Sequence, residues 1–224
     1  MPRKASSEGP LRTPLAAPAG VAPPLQKRSK ETYEKILDAA DRLLAEQSFD
    51  ALRIEDLLSA AEVSAGSFYA RFEGKAALLA ALYHRYQAEL VESLEKPPPS
   101  VPADATLEDR VRAFVRSRIR RYRARKGTLR AVVLDLRLHP ERFHPQMREL
   151  NAMATRHMVE VLRPSLPEIA GGEARLISLA YFVSAICRDR ILFATWPHAS
   201  AAGGSMTRLE HDLVRLSVGF LRSA

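Results

Sequence analysis

Cysteine is almost absent from this chain: Cys187 stands alone among 224 residues, so no intramolecular disulfide can form, as suits a reducing cytosol. The six histidines, at positions 84, 139, 144, 157, 198 and 211, show neither H-x-x-x-H nor H-E-x-x-H spacing, and the single cysteine has no CxxC partner. No metal site is expected. The glycine patterns that cradle phosphates, GxGxxG and the Walker loop, are missing, as is G-x-S-x-G. Adjacent carboxylates such as Glu55-Asp56 read as exposed helix charges. Neither catalytic residues nor a cofactor are therefore expected. The longest strongly apolar stretch, residues 176–187, is too short to cross a bilayer. Residues 1–28 lack the apolar segment of a secretory signal. The expectation is a cytoplasmic, non-enzymatic protein with no membrane span.

Acidic charge is also in short supply. Asp and Glu number 26 against 34 Lys and Arg, a net charge of +8 that favours a polyanionic partner: duplex DNA, RNA or an anionic membrane surface. Residues 1–28 are rich in Pro, Ala and Ser and hold Arg3, Lys4, Arg12, Lys27 and Arg28 against Glu8 alone. They read as a disordered basic arm. Either a minor-groove contact or a mere solubilising tail would suit that composition, and Lys27 and Arg28 are its best candidates for phosphate contact.

Residues 54–75 carry the strongest pattern. Ile54, Leu57, Leu58 and Ala61 fall at i, i+3, i+4 and i+7, one face of a short helix. Glu62 and Val63 make a turn, and Ser64 stands at an N-cap position before a second short helix. The first turn of that helix offers only Ala65, Gly66 and Ser67, small enough to let it approach base edges. Phe68 and Phe72 are spaced to pack inward, leaving Tyr69 and Arg71 for phosphate oxygens. This is the layout of a helix-turn-helix. Two short helices packed in an ordinary all-α domain would share part of it, but not the aromatic-basic run F-Y-A-R-F behind a capped, small-residue start.

On V-S-A-G-S-F-Y-A-R-F-E-G-K at positions 63–75, with Ala76, Ala77, Leu78 and Leu79 after it, the chain resembles the tetracycline-repressor (TetR) family of transcriptional regulators. The resemblance covers roughly residues 29–90. It implies binding to double-stranded operator DNA as a homodimer, with contacts from Arg53, Ser64, Ala65, Gly66, Ser67, Tyr69, Arg71 and Lys75. Three residues depart from the family pattern: Glu62 replaces the usual turn glycine, Leu58 the usual alanine, and Arg53 the usual Thr or Ser. A residue other than glycine in a left-handed turn costs roughly 1 kcal/mol.

The remainder reads as helix throughout. One helix is expected from a cap near Ser29 through Leu44, and another from Lys75 to about residue 95, before the Pro97-Pro98-Pro99 break. Beyond the break, helices are expected over residues 106–126 (ended by Gly127), 128–138, 145–162 and 173–195. A last one is expected from a Thr207-x-x-Glu210 capping box. The fold class is therefore all-α with about nine helices. An arm (1–28) precedes a three-helix helix-turn-helix DNA-binding domain (29–74) and a C-terminal helical bundle for ligand binding and dimerisation (75–224).

Residues 176–186 leave almost no polar face, and Leu209, Leu213, Leu216 and Phe220 recur at heptad spacing. The resemblance implies that these two helices pair with their copies in a second subunit, through Leu179, Phe182, Val183, Ile186, Leu209, Leu213, Leu216 and Phe220. Plain monomer core is the alternative. It also implies a small-molecule effector in the bundle. Phe114, Arg118, Leu134, Met147, Met153, His157 and Tyr181 are candidate lining residues because they mix aromatic, flexible and polar groups on inward faces. Ten basic residues between 110 and 130 face only Glu108 and Asp109. They read as a solvated helix face or as a second anion surface, with Arg118 nearest the apolar stripe. The expected protein is a ligand-released repressor. A helical scaffold meeting RNA or an anionic membrane is the rival reading.

Overall fold

The computed structural model describes residues 15, 17–96, 101–139, 145–169, 171–194 and 204–223, with backbone only at 145–148 and 168. Among them are nine α-helices and no strand. They are α1 (Lys27–Glu46), α2 (Ile54–Ala61), α3 (Ala65–Tyr69), α4 (Lys75–Glu95), α5 (Leu107–Ala124), α6 (Lys126–Leu138), α7 (Pro145–Leu162), α8 (Gly172–Leu192) and α9 (Met206–Arg222). A 3₁₀ segment, Arg163–Glu168, follows α7. The helix stops expected at Pro140 and Trp196-Pro197, and the Pro97–Pro99 break, lie outside the described residues.

Two apolar cores organise the chain. The first joins Ile36, Leu37 and Leu44 of α1 to Leu57 of α2, Phe68 of α3, Phe72, and Leu78 and Leu82 of α4. The second joins Val111, Phe114 and Val115 of α5 to Met158 and Leu162 of α7, Leu176 and Val183 of α8, and Leu213 of α9. Helix α4 belongs to the first core through its N-terminal half, and Leu79 on its other side meets Ala131 and Val132 of α6. A small head thus sits on a larger bundle, with α4 and α6 between them.

Several helix boundaries differ from the sequence expectation. Helix α1 starts two residues before Ser29; Gln26 is its N-cap and makes no side-chain cap bond, while the Ser29 hydroxyl is buried without a partner. Gly127 does not end a helix. The break falls at Arg125, and Gly127 lies in the first turn of α6, where an added Cβ would overlap the Leu44 carbonyl. The N-cap of α9 is Ser205, whose hydroxyl accepts from the Arg208 N–H at 3.3 Å, not Thr207. Glu210, read as that box's partner, instead takes the Arg116 guanidinium at 2.7 Å. A capping box does occur at α5, where Thr106 and Asp109 satisfy each other's backbone N–H groups.

The arm is partly pinned. Val21 bridges Phe72, the Ala22 N–H donates to the Arg71 carbonyl at 2.9 Å, and the Glu73 N–H donates to the Gly20 carbonyl at 3.1 Å. Residues 20–22, expected to be disordered, therefore lie against the turn between α3 and α4.

Charge joins head to bundle. Asp41 of α1, only slightly exposed, accepts from Arg85 of α4, from Arg125 at 2.5 Å and from the Thr128 hydroxyl at 2.5 Å. Arg125 also holds Glu89 of α4. From α6, Arg130 donates to the carbonyls of Leu44 and Gln47 at 3.3 and 2.7 Å, closing the C-terminal end of α1.

Candidate nucleic-acid interface

The turn between α2 and α3 is built on Glu62, whose φ of 55° and ψ of 46° are left-handed. The Glu62 N–H donates to the Ser59 carbonyl at 3.2 Å and the Val63 N–H to the Leu58 carbonyl at 3.1 Å. This is a Schellman end with glutamate where glycine is usual. Leu58 and Val63 pack on the same core, completing the apolar contact that accompanies such an end. A chain turned this way enters α3 at once. There the Ser64 hydroxyl accepts from the Ser67 N–H at 3.2 Å.

Behind α3 lies an aromatic base. Phe68 and Phe72 are fully buried, their rings 5.1 Å apart, and Tyr33 of α1 stacks on Phe72 at 5.5 Å. Such contacts hold α3 more firmly than area burial alone. On the solvent side Ala65 and Gly66 are exposed, and a Cβ at Gly66 would meet nothing closer than the Ser64 hydroxyl at 3.9 Å. Tyr69 is 57% exposed, its ring edge-on to Phe68.

Ser67 is less free than its position suggested, because its hydroxyl lies 2.9 Å from that of Ser64. Arg53 stands exposed at the N-cap of α2, loosely paired with Glu55 at 3.5 Å. Arg71 is half-buried beside the pinned arm. The Lys75 ammonium turns back to donate to the Asp50 carbonyl at 3.2 Å and lies 4.9 Å from the Phe49 ring centroid. It therefore ties α4 to the loop before α2.

The remaining candidate residues divide between core and surface. Of the eight assigned to a dimer face, Leu179, Val183, Leu209 and Leu213 are buried within the subunit. Phe182 and Ile186 are exposed, Leu216 is 64% exposed, and Phe220 is half-buried with its ring 5.5 Å from that of Phe182. Exposed Ile177 and Tyr181 extend the same patch. Tyr181 therefore lies on the outer face of α8, away from the cavity to which it was assigned. Leu134 is likewise exposed, Met153 is half-buried, and the side chain of Met147 lies outside the described residues. Phe114, Arg118 and His157 do share a cavity between α5 and α7, of about 30 Å³. Arg121, one helical turn after Arg118, lines it too, and the i, i+3 spacing could have found it. A larger groove of about 840 Å³ separates residues 17–20 from α4 and α6. Arg110, not Arg118, is the innermost of the ten basic residues: it is 5% exposed and donates to the carbonyls of Pro102 and Ala103.

Residues 36–82 match the family model described as bacterial regulatory proteins, tetR family. The N-terminal unit is of the tetR family. Solved structures extend the TetR-like fold over most of the chain. A tetR-family regulator from Streptomyces coelicolor is 18% identical with a TM-score of 0.57, over 85% of this chain and 80% of that one. Another, from Pectobacterium atrosepticum, is 20% identical with a TM-score of 0.55, over 88% and 96%. A TetR variant from Acinetobacter baumannii AYE in complex with minocycline is 20% identical with a TM-score of 0.50, over 89% and 99%. No curated protein matches the chain in sequence. Among the described residues no helix is long and apolar enough to cross a membrane, and no cluster of His, Cys, Asp or Glu could hold a metal.

Proposed function

We propose that this protein is a cytoplasmic transcriptional repressor that binds a palindromic operator as a homodimer and leaves it when a small molecule enters the bundle. The observation that carries the reading is α3: a capped helix whose exposed face is Ala65 and Gly66, held from behind by Phe68 and Phe72. Its small face can reach base edges in a major groove without bulk in the way. Tyr69 and Arg53 flank that face as phosphate contacts that fix its position.

One such helix reads few base pairs, so two copies related by a two-fold axis are needed for a specific site. The exposed apolar patch on α8 and α9 supplies a surface for pairing. Release by a ligand is supported by the bundle cavity and by the Asp41 cluster, which ties α1 to α4 and to the α5–α6 junction. The minocycline complex of the Acinetobacter relative supports a ligand-binding bundle by analogy.

Selection of bound duplexes from a random library, followed by sequencing and footprinting, tests the reading. An inverted repeat protected by the protein is the expected result. Equal binding to random duplexes, with no protected repeat, would sink it.

A further inference from the structure

Most basic side chains of α5 and the start of α6 are already answered. Arg112 and Arg116 pair with Glu108 and Glu210, Arg125 with Asp41 and Glu89, and Arg110 and Arg130 with backbone carbonyls. Arg118 and Arg121 stand apart. They line the cavity between α5 and α7, and no carboxylate among the described residues pairs with either. His157 faces them from α7, its ring bonded to the Leu94 backbone. The charged groups acting on His157 are these two guanidiniums, and those acting on neighbouring Tyr122 are Arg118, Arg188, Cys187 and Arg121. None is an acid.

We infer that this cavity takes a small organic anion, a carboxylate whose head lies between Arg118, Arg121 and His157 and whose apolar body leaves between α5 and α7. Two like charges facing one another in a half-buried site favour a counter-charge there. Guanidinium forks match the two oxygens of a carboxylate, and such bonds are the strong ones. Size points the same way. About 30 Å³ admits roughly two water-sized groups, enough for a carboxylate head but not for a drug-sized body. The walls beyond the head are Phe114, Met158 and Val161, which suit a hydrocarbon. The inference names the chemical class of the effector and rests on the ligand-release reading only for its consequence at DNA.

The test uses the full chain, titration calorimetry and thermal unfolding at fixed ionic strength. Its probes are octanoate and benzoate, with octanol, benzyl alcohol, octyl phosphate and inorganic phosphate as comparisons. A carboxylate should bind saturably and raise the Tm, while the neutral analogues do not. R118Q and R121Q should each weaken that binding at least tenfold, since a charge-assisted bond is lost, with R121K recovering part of it. Circular dichroism of each variant reports whether it folds. The inference is overturned if neither carboxylate binds, if the neutral analogues bind equally, if octyl phosphate or inorganic phosphate binds more tightly, or if the folded variants bind unchanged. A carboxylate that binds through these arginines without releasing DNA supports the site and defeats the ligand-release reading. Release of DNA by a neutral compound that leaves the site empty does the reverse.

Discussion

Glu62 holds a left-handed backbone that glycine adopts without strain, at the one corner on which the entry of α3 depends. Glu62→Gly should therefore stabilise the chain by about 1 kcal/mol, read as a higher denaturation midpoint in urea. The position was legible in the sequence because a non-glycine residue sits between an amphipathic repeat and a capping serine. His157 makes a second residue-scale prediction. Burial first, and then the Arg121 guanidinium, hold its pKa below the ordinary 6.5. The unfolded chain therefore binds more protons in the window below pH 6.5, and stability falls as pH drops through it. His84, also lowered by burial, adds to the fall. Thermal unfolding between pH 7 and 5 should show the Tm decreasing, with a shallower slope in His157→Gln; an unchanged slope would remove His157 as a contributor. Arg118 was legible as inward-facing only in part, because Arg110 lies on the same side of α5 and the carbonyls that receive it come from a segment with no periodic pattern.

Elements were read most clearly where a 3.6-residue repeat meets a cap, as in α2 and α3. Gly127 shows what such reading misses. Glycine marks a helix end because it tolerates a left-handed backbone, but it also serves inside a helix where two backbones touch, and one sequence cannot separate these uses. In α6 it is the second use, since a side chain there would enter the Leu44 carbonyl. Gly127→Ala should lower stability by about 1–3 kcal/mol, the usual effect of overpacking, and weaken DNA binding by tilting α1. Unfolding in denaturant and a DNA titration of the same sample check both effects. Helix α8 was ambiguous for another reason. A helix apolar all round does not reveal which face meets its own subunit, so Leu179 and Val183 could not be told from Phe182 and Ile186 until the other helices were in place.

For the whole molecule the decisive property is pairing. Leu216→Glu places a charge in the middle of the exposed α8–α9 patch without touching either core. Sedimentation should show a dimer becoming a monomer. Binding to the inverted repeat should fall more than tenfold, while binding to random DNA changes little. A variant that stays dimeric would place the pairing surface elsewhere. Salt dependence offers a separate check: Arg53→Ala should reduce the slope of log affinity against log salt by about 0.9, one phosphate contact in each subunit site.

The contact between Gly127 and the Leu44 carbonyl has one more consequence. Side chains between helices act as a cushion, because they can change rotamer and let the helices slide. Here backbone rests on backbone, flanked by the Arg130 and Asp41 bonds. Helix α1 can turn about that point but cannot settle closer to α6, so the contact serves as a fulcrum and the head as its lever arm. A slight rotation at the base of the head becomes a larger displacement at α3, on the far side of the first core. In a pair of subunits, two such levers set the distance between the reading helices.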